Sequence, residues 1–149
     1  MSSPRWLADN PALRTEPTSA EEIASLLAVV DRELADAQIP GLSADGKVQH
    51  AYNAALQCAT TALRACGYRV RWGEAHHRVT IQSLEHTIAS DPGTVKEIDA
   101  FRRKRSNVTY DRPGAASDGE ARNILVLAKH LRQDVQRWLR ENHPELMPS

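Results

Sequence analysis

The sequence predicts an all-α protein, a bundle of about five helices joined by short turns. Apolar residues recur at helical spacing in several long segments. Breaks that contain proline or glycine separate these segments, and no long stretch alternates between apolar and polar residues. The chain has 149 residues, of which 41% are hydrophobic and 26% charged. This length and composition suit one globular domain with its own core.

The chain is expected to divide into three parts. Residues 1–17 contain three prolines and no sustained periodicity, so we expect a flexible N-terminal arm. Trp6 and Leu7 could pack against the body of the protein. Residues 18–143 form the predicted helical domain, and residues 144–149 form a C-terminal tail.

The first two helices have clear start and stop signals. The first begins at a capping box over residues 19–22 and ends at the break formed by Pro40 and Gly41. Ser43 can cap the second helix, which carries an apolar stripe as far as a C-terminal cap at Gly67. The alanines and threonines of this second helix predict close approach by a neighbouring helix, as at the centre of a bundle.

A less regular segment comes next. Residues 68–72 alternate briefly, but the glycines on either side favour a loop over a strand. Trp72 at its end could plug one end of the bundle. A third helix is expected from Glu74 to about Ala89.

Two more helices complete the prediction. The fourth follows a turn over residues 91–93, with Thr94 as its cap, and carries a basic segment. The fifth begins at a second capping box, residues 117–120, and ends before Pro144.

The charges are balanced overall but segregated along the chain. Nineteen basic residues match nineteen acidic ones, so no global field draws the protein to nucleic acid or membrane. Residues 16–36, however, contain six acidic residues and one basic residue. Residues 101–112 contain five basic residues and one acidic residue. This pattern allows pairing within the chain, an asymmetric surface or an electropositive groove.

The sequence also predicts a cellular compartment. No membrane span and no secretory signal are expected. Cys58 and Cys66 fall in one helix, where eight residues rise roughly 12 Å, too far for a disulfide. We therefore expect reduced, buried cysteines in a cytoplasmic protein.

The basic segment, residues 101–111, is the strongest candidate for function. Its helix places Arg105 near the middle of a stripe of apolar residues, namely Val95, Ile98, Phe101 and Val108. Two interpretations follow. The arginine stem packs while its head reaches water, or Arg105 is a functional group held in a groove. Guanidinium groups suit phosphate oxygens, and a tyrosine can stack on a base. The candidate nucleic-acid-binding residues are therefore Arg102, Arg103, Lys104, Arg105 and Asn107.

Two histidines, His76 and His77, open the predicted third helix. They either face solvent beside a turn or line the same groove as Arg105. Glu74 and His77 have the spacing found in di-iron bundles, but such sites need a second copy of the pair. We expect no metal site and no cofactor, and the sequence has no glycine-rich phosphate loop.

The order of these features resembles the HEPN superfamily of prokaryotic helical-bundle proteins. A helix with small residues at 51–56 precedes a helix that ends in the segment 102–111, and a Pro-Gly break and a long amphipathic helix follow. The resemblance covers roughly residues 43–142. It implies an up-and-down bundle that pairs as a homodimer. Many such proteins are metal-independent RNases of toxin–antitoxin and other defence systems, often encoded beside a nucleotidyltransferase.

Active members of this superfamily carry an arginine followed a few residues later by a histidine. Arg105 would be the motif arginine, but Tyr110 stands where the histidine is expected. A tyrosine with an ordinary pKa of about 10 is a poor base near neutral pH. The resemblance therefore implies binding of RNA, a nucleotide or a toxin–antitoxin-type partner through a basic cleft around Arg105. Tyr110 is then a candidate for modification by a nucleotidyltransferase partner.

Two alternatives stay open. One is an active RNase in which Arg105 acts with an unconventional base: Tyr110, His76 or His77. The other is a purely structural bundle whose basic helix pairs with its acidic first helix.

Overall fold

A computed structural model describes residues 4–73, 75–110 and 116–147, without the side chains of Pro4 and of residues 105–110. In the described chain, six α-helices surround a small core, and one two-stranded antiparallel sheet lies beside them. The helices are α1 (Pro4–Asp9), α2 (Ala20–Asp36), α3 (Ala44–Ala65), α4 (His76–Gln82), α5 (Pro92–Tyr110) and α6 (Asp118–Asn142). The strands are β1 (Leu13–Thr15) and β2 (Tyr68–Val70). The all-α prediction is confirmed.

Helix α3 is the central element. It packs most extensively against α2 and α6, and also contacts α4 and α5. Small side chains on its faces allow this close approach, and five of its alanines are completely or almost completely buried: Ala51, Ala54, Ala55, Ala59 and Ala62. Tyr52 is the largest fully buried side chain. The prediction of a central second helix is therefore confirmed.

Most of the predicted helix ends are also confirmed. The hydroxyl of Ser43 accepts a hydrogen bond from the Gly46 N–H, and Ser117 forms a complete capping box with its glutamate. Gly67, with a φ of +86°, takes the left-handed conformation that follows the C-terminal end of α3. Thr94 lies inside α5 and does not cap it, because the Asp91 carboxylate accepts from the Gly93 N–H one turn earlier.

The N-terminal arm and the expected loop at residues 68–72 are corrected together. Residues 13–15 pair with residues 68–70, so that Leu13 lies opposite Val70. Leu7 and Leu13 are buried in a small apolar cluster, which confirms the packing of Leu7 against the body. Neither strand is evident from its own residues, because the hydrogen-bonding partner of each lies far away in the sequence.

The third helix is shorter than predicted. Helix α4 ends at Gln82 and is followed by a 3₁₀ turn over Ser83–Glu85. The Thr80 and Ser83 hydroxyls donate to backbone carbonyl oxygens of the same segment, a pattern that favours irregular backbone. Ala89 then takes a positive φ of 57°, which ends any helical continuation.

The cysteines are free, as predicted. Burial raises the pKa of Cys58 to about 12 and that of Cys66 to about 11, so neither is a prepared nucleophile. Among the described residues, no helix combines the length and apolar character needed to cross a membrane.

Candidate functional site

The described part of the predicted basic segment is paired within the chain. Arg102 and Arg103 both donate to the Asp99 carboxylate, at 2.7 and 2.9 Å. Lys104 forms an ion pair with Glu120 at the start of α6. The hydrogen bond from Arg102 is the main cause that lowers the pKa of Asp99, and that from Lys104 lowers the pKa of Glu120.

Four predictions fall on side chains outside the described residues: those for Arg105, Asn107, Val108 and Tyr110. The backbone there continues α5 to Tyr110, so the predicted helix through the segment is confirmed. The roles assigned to the four side chains stay predictions.

A second basic surface lies elsewhere, in a cavity of about 620 Å³ bounded by the sheet, α2, α3 and α4. We call it the arginine groove. The residues that define it are Arg14, Arg64, Arg69, Arg71, Trp72 and His76. The paired strands bring Arg14 of β1 together with Arg69 of β2 and with Arg71, which directly follows β2.

Two carboxylates hold three of the four arginines of the groove. Arg64, whose side chain is 5% exposed, donates through Nε and Nη2 to Glu22 Oε1 at 3.0 and 2.7 Å. Glu16 bridges three guanidinium groups, at 3.0 Å to Arg64, 2.6 Å to Arg69 and 3.2 Å to Arg14. This network explains why the second half of the first capping box is absent. The Glu22 carboxylate turns to Arg64 instead of to the backbone of the helix start.

The groove keeps an excess of positive charge. Four guanidinium groups line it, against Glu22 within the groove and Glu16 at its edge. Within the described part of the chain, Arg71 forms no ion pair with either of them. The groove can therefore attract an oxyanion while the ion pairs of Glu16 and Glu22 with the other arginines stay intact.

Trp72 is exposed at the groove. It is 94% accessible, and its ring lies 5.8 Å from that of His76 at a tilt of 43°. The prediction that it plugs the end of the bundle is wrong, because a side chain that is almost fully exposed packs against no part of the core. A large aromatic face beside arginines is the combination that stacks on a base while binding its phosphates.

The two predicted histidines lie with their ring centroids 5.7 Å apart but have different further partners. His76 lines the arginine groove. His77 Nδ1 lies 3.3 Å from the hydroxyl oxygen of the buried Tyr52. The structure therefore places one histidine of the pair in a groove, and the relation of either to Arg105 lies outside the described side chains.

The acidic helix that was predicted as the first is α2 in the structure, and its described ion pairs join it to elements other than the basic helix α5. Asp31 of α2 binds Arg132 of α6, and Glu33 lies 2.8 Å from His50 Nδ1 on α3. The predicted direct pairing of α2 with the basic segment is absent among the described side chains. Glu33, Asp36 and His50 have ligand atoms within 4.8 Å of one another, and a hydrogen bond joins Glu33 to His50.

Acid is expected to destabilise the protein through Glu22. The hydrogen bond from Thr18 and those from Arg64 keep the pKa of Glu22 below its ordinary value of 4.5, although burial opposes them. A carboxyl with a lowered folded pKa stabilises the fold above its unfolded pKa and loses that contribution as pH falls through the folded value. Urea unfolding between pH 7 and 3 should show a fall in stability that is flatter in Glu22→Gln. Glu21→Gln, one residue away and without an ion pair to any described side chain, should keep the wild-type slope. Identical slopes in all three proteins would contradict the assignment.

Two short segments carry a weak signal for this groove. Arg69 and Arg71 alternate with Tyr68, Val70 and Trp72, which is the pattern of a strand with one basic face. Arg14 and Glu16 show the same spacing in the N-terminal segment. Neither segment alone indicates that the two lie side by side.

The chain matches no family model, no curated protein and no solved structure. Its function is therefore inferred from the groove and from the residues that line it.

Proposed function

We propose that the protein binds RNA in the arginine groove. The observation that carries this proposal is the exposure of Trp72 beside four groove arginines. A ligand that covers a tryptophan with 94% of its surface accessible removes that apolar surface from water, which favours binding. A base can cover it by stacking, while the arginines bind the phosphates that flank the base.

The size of the groove supports a ligand of nucleotide dimensions. Its volume of about 620 Å³ lies within the range of roughly 300–1,000 Å³ that small-molecule sites occupy. The groove is open along the surface rather than enclosed, since Arg14, Arg69 and Trp72 are all partly or fully exposed. A nucleotide that enters it can belong to a longer strand that continues across the surface.

The basic face of α5 has a secondary role in this proposal. Arg102, Arg103 and Lys104 each have a carboxylate partner in the chain, so they add less free positive charge than their number suggests. They attract RNA at long range, and salt screens that attraction.

Removal of Arg71 is the sharpest charge test, because it breaks no ion pair in the described part of the chain. Arg71→Ala should weaken binding of a single-stranded RNA oligonucleotide about fivefold. The slope of log affinity against log salt concentration should become shallower by about one, as expected for the loss of one phosphate contact. Arg122→Ala removes the same charge from the exposed face of α6 and should bind RNA like the wild type. Fluorescence anisotropy at several salt concentrations measures both. Equal affinities for the two variants would overturn the proposal.

A second candidate function rests on the backbone of α5. Because the helix continues to Tyr110, Arg105 and Tyr110 belong to one helix, as the resemblance to HEPN proteins requires. In this proposal two copies pair as a homodimer, and their Arg105 residues share one cleft that binds RNA, cleaves it or holds a toxin–antitoxin-type partner. A nucleotidyltransferase partner would modify Tyr110.

A cleavage assay tests the enzymatic form of this candidate. An active enzyme should cleave a mixed RNA substrate in the presence of a chelator, and Arg105→Ala should reduce the rate by at least about a hundredfold. Arg122→Ala, which removes the same charge from the exposed face of α6, is the matched control. The same rate for wild type and Arg105→Ala would exclude Arg105 from catalysis, and no cleavage by either would leave only the binding functions.

A further inference from the structure

We infer that the guanidinium groups of Arg14, Arg64 and Arg69 form a binding site for a terminal phosphate group, and that Glu16 occupies this site in the free protein. The inference rests on the proposed function and deepens it, because it names the part of an RNA strand or nucleotide that the arginine groove recognises. Glu16 is then an internal substitute for the ligand.

The geometry around Glu16 is that of an oxyanion site. Arg64 Nη2 and Arg69 Nε both bind Oε2, at 3.0 and 2.6 Å, and Arg14 Nη2 binds Oε1 at 3.2 Å. Three donors from β1, α3 and β2 therefore converge on one carboxylate. Guanidinium groups also bind phosphate oxygens, because a phosphate likewise presents several acceptor oxygens around one centre.

Glu16 can leave this site without a change in the fold. It lies between β1 and α2, and its backbone N–H donates to the Gly67 carbonyl oxygen at 2.8 Å, which holds the chain in place. Its side chain is 30% exposed, so a change of rotamer moves the carboxylate into solvent. Glu22 is held differently, because it belongs to a helix and also accepts from Thr18.

Charge selects a terminal phosphate over an internal one. A phosphate monoester carries about −1.5 to −2 at pH 7, whereas an internal phosphodiester and a carboxylate each carry a single charge. An internal phosphodiester therefore gains little by displacing Glu16, while a terminal phosphate replaces one charge with nearly two. The three arginines line the same cavity as Trp72, so the base next to that phosphate lies within the groove.

The first test needs only the wild-type protein. A short uridine oligonucleotide with a terminal phosphate is compared with the same oligonucleotide ending in hydroxyl groups, by fluorescence anisotropy. The phosphorylated strand should bind about fivefold more tightly. Inorganic phosphate should compete with it at millimolar concentration, since it offers the same group without the base. Equal affinity for the two strands would overturn the inference while leaving the proposed function standing, and binding of neither strand would overturn both.

The second test removes the internal competitor. Glu16→Gln should bind the hydroxyl-ended strand about fivefold more tightly than the wild type, so that the preference for a terminal phosphate narrows. Glu97→Gln removes the same charge from an exposed position on α5 and should leave both affinities unchanged. A melting curve shows whether each variant is folded. Unchanged or weaker RNA binding by a folded Glu16→Gln would show that Glu16 is a structural ion-pair partner only, and would overturn the inference.

Discussion

Replacement of Arg64 by alanine is expected to lower the free energy of unfolding by about 3 kcal/mol. The side chain is 5% exposed, and it joins Glu22, Glu16 and the Tyr68 carbonyl oxygen in one network. Its removal leaves two carboxylates without their shared partner. The value lies at the lower end for a broken buried pair, because both carboxylates are about one-third exposed and regain some solvation.

The control for this experiment is an exposed ion pair of the same chemistry. Arg137→Ala breaks a pair with Asp134 in which the arginine is 65% exposed, and should cost less than about 0.5 kcal/mol. Urea unfolding followed by circular dichroism measures both variants. If the loss arises from uncompensated charge, Arg64→Met combined with Glu16→Gln and Glu22→Gln should recover much of it. A loss for Arg64→Ala as small as that of Arg137→Ala would show that the network contributes little to stability.

The elements that the sequence predicted well are those defined by local signals. Helices α2, α3 and α6 each have a serine cap directly before them, a long apolar stripe and a stop signal within a few residues of their end. Helix α5 follows from the spacing of Val95, Ile98 and Phe101, all of which are buried. Such patterns depend on neighbours along the chain, so they can be read without knowledge of the fold.

The elements that were missed depend on distant parts of the chain. Strands β1 and β2 contain three residues each, and each exists because the other supplies its hydrogen bonds. The same pairing assembles the arginine groove, since Arg14 comes from one strand, Arg69 from the other and Arg64 from the helix before it. The basic run of α5 is the stronger signal along consecutive residues, yet its described cations are each paired with a carboxylate. Contiguity in sequence is therefore a poor guide to free charge when carboxylates lie one helical turn away, as Asp99 does, or on a neighbouring helix, as Glu120 does.

Replacement of Trp72 by alanine is expected to weaken RNA binding about tenfold, because stacking of a base on an aromatic ring contributes roughly 1–3 kcal/mol. The melting temperature should stay unchanged, since a side chain that is 94% exposed contributes almost no packing to the fold. Trp72→Phe keeps an aromatic face and should retain most of the affinity.

Ile39→Ala is the matched control, because Ile39 is another exposed apolar residue, 50% accessible, and lines a different cavity. RNA should also quench tryptophan fluorescence in the wild type and in Ile39→Ala, but not in Trp72→Ala, since Trp6 and Trp138 are half-buried within the fold. The two readouts separate the interpretations of the exposed ring. If RNA bases stack on Trp72, Trp72→Ala should lose RNA affinity and fluorescence quenching together. If the exposed ring binds no base, Trp72→Ala should keep the affinity of the wild type, and its quenching should not differ from that of the wild type. The second result would remove the main support for RNA binding in this groove.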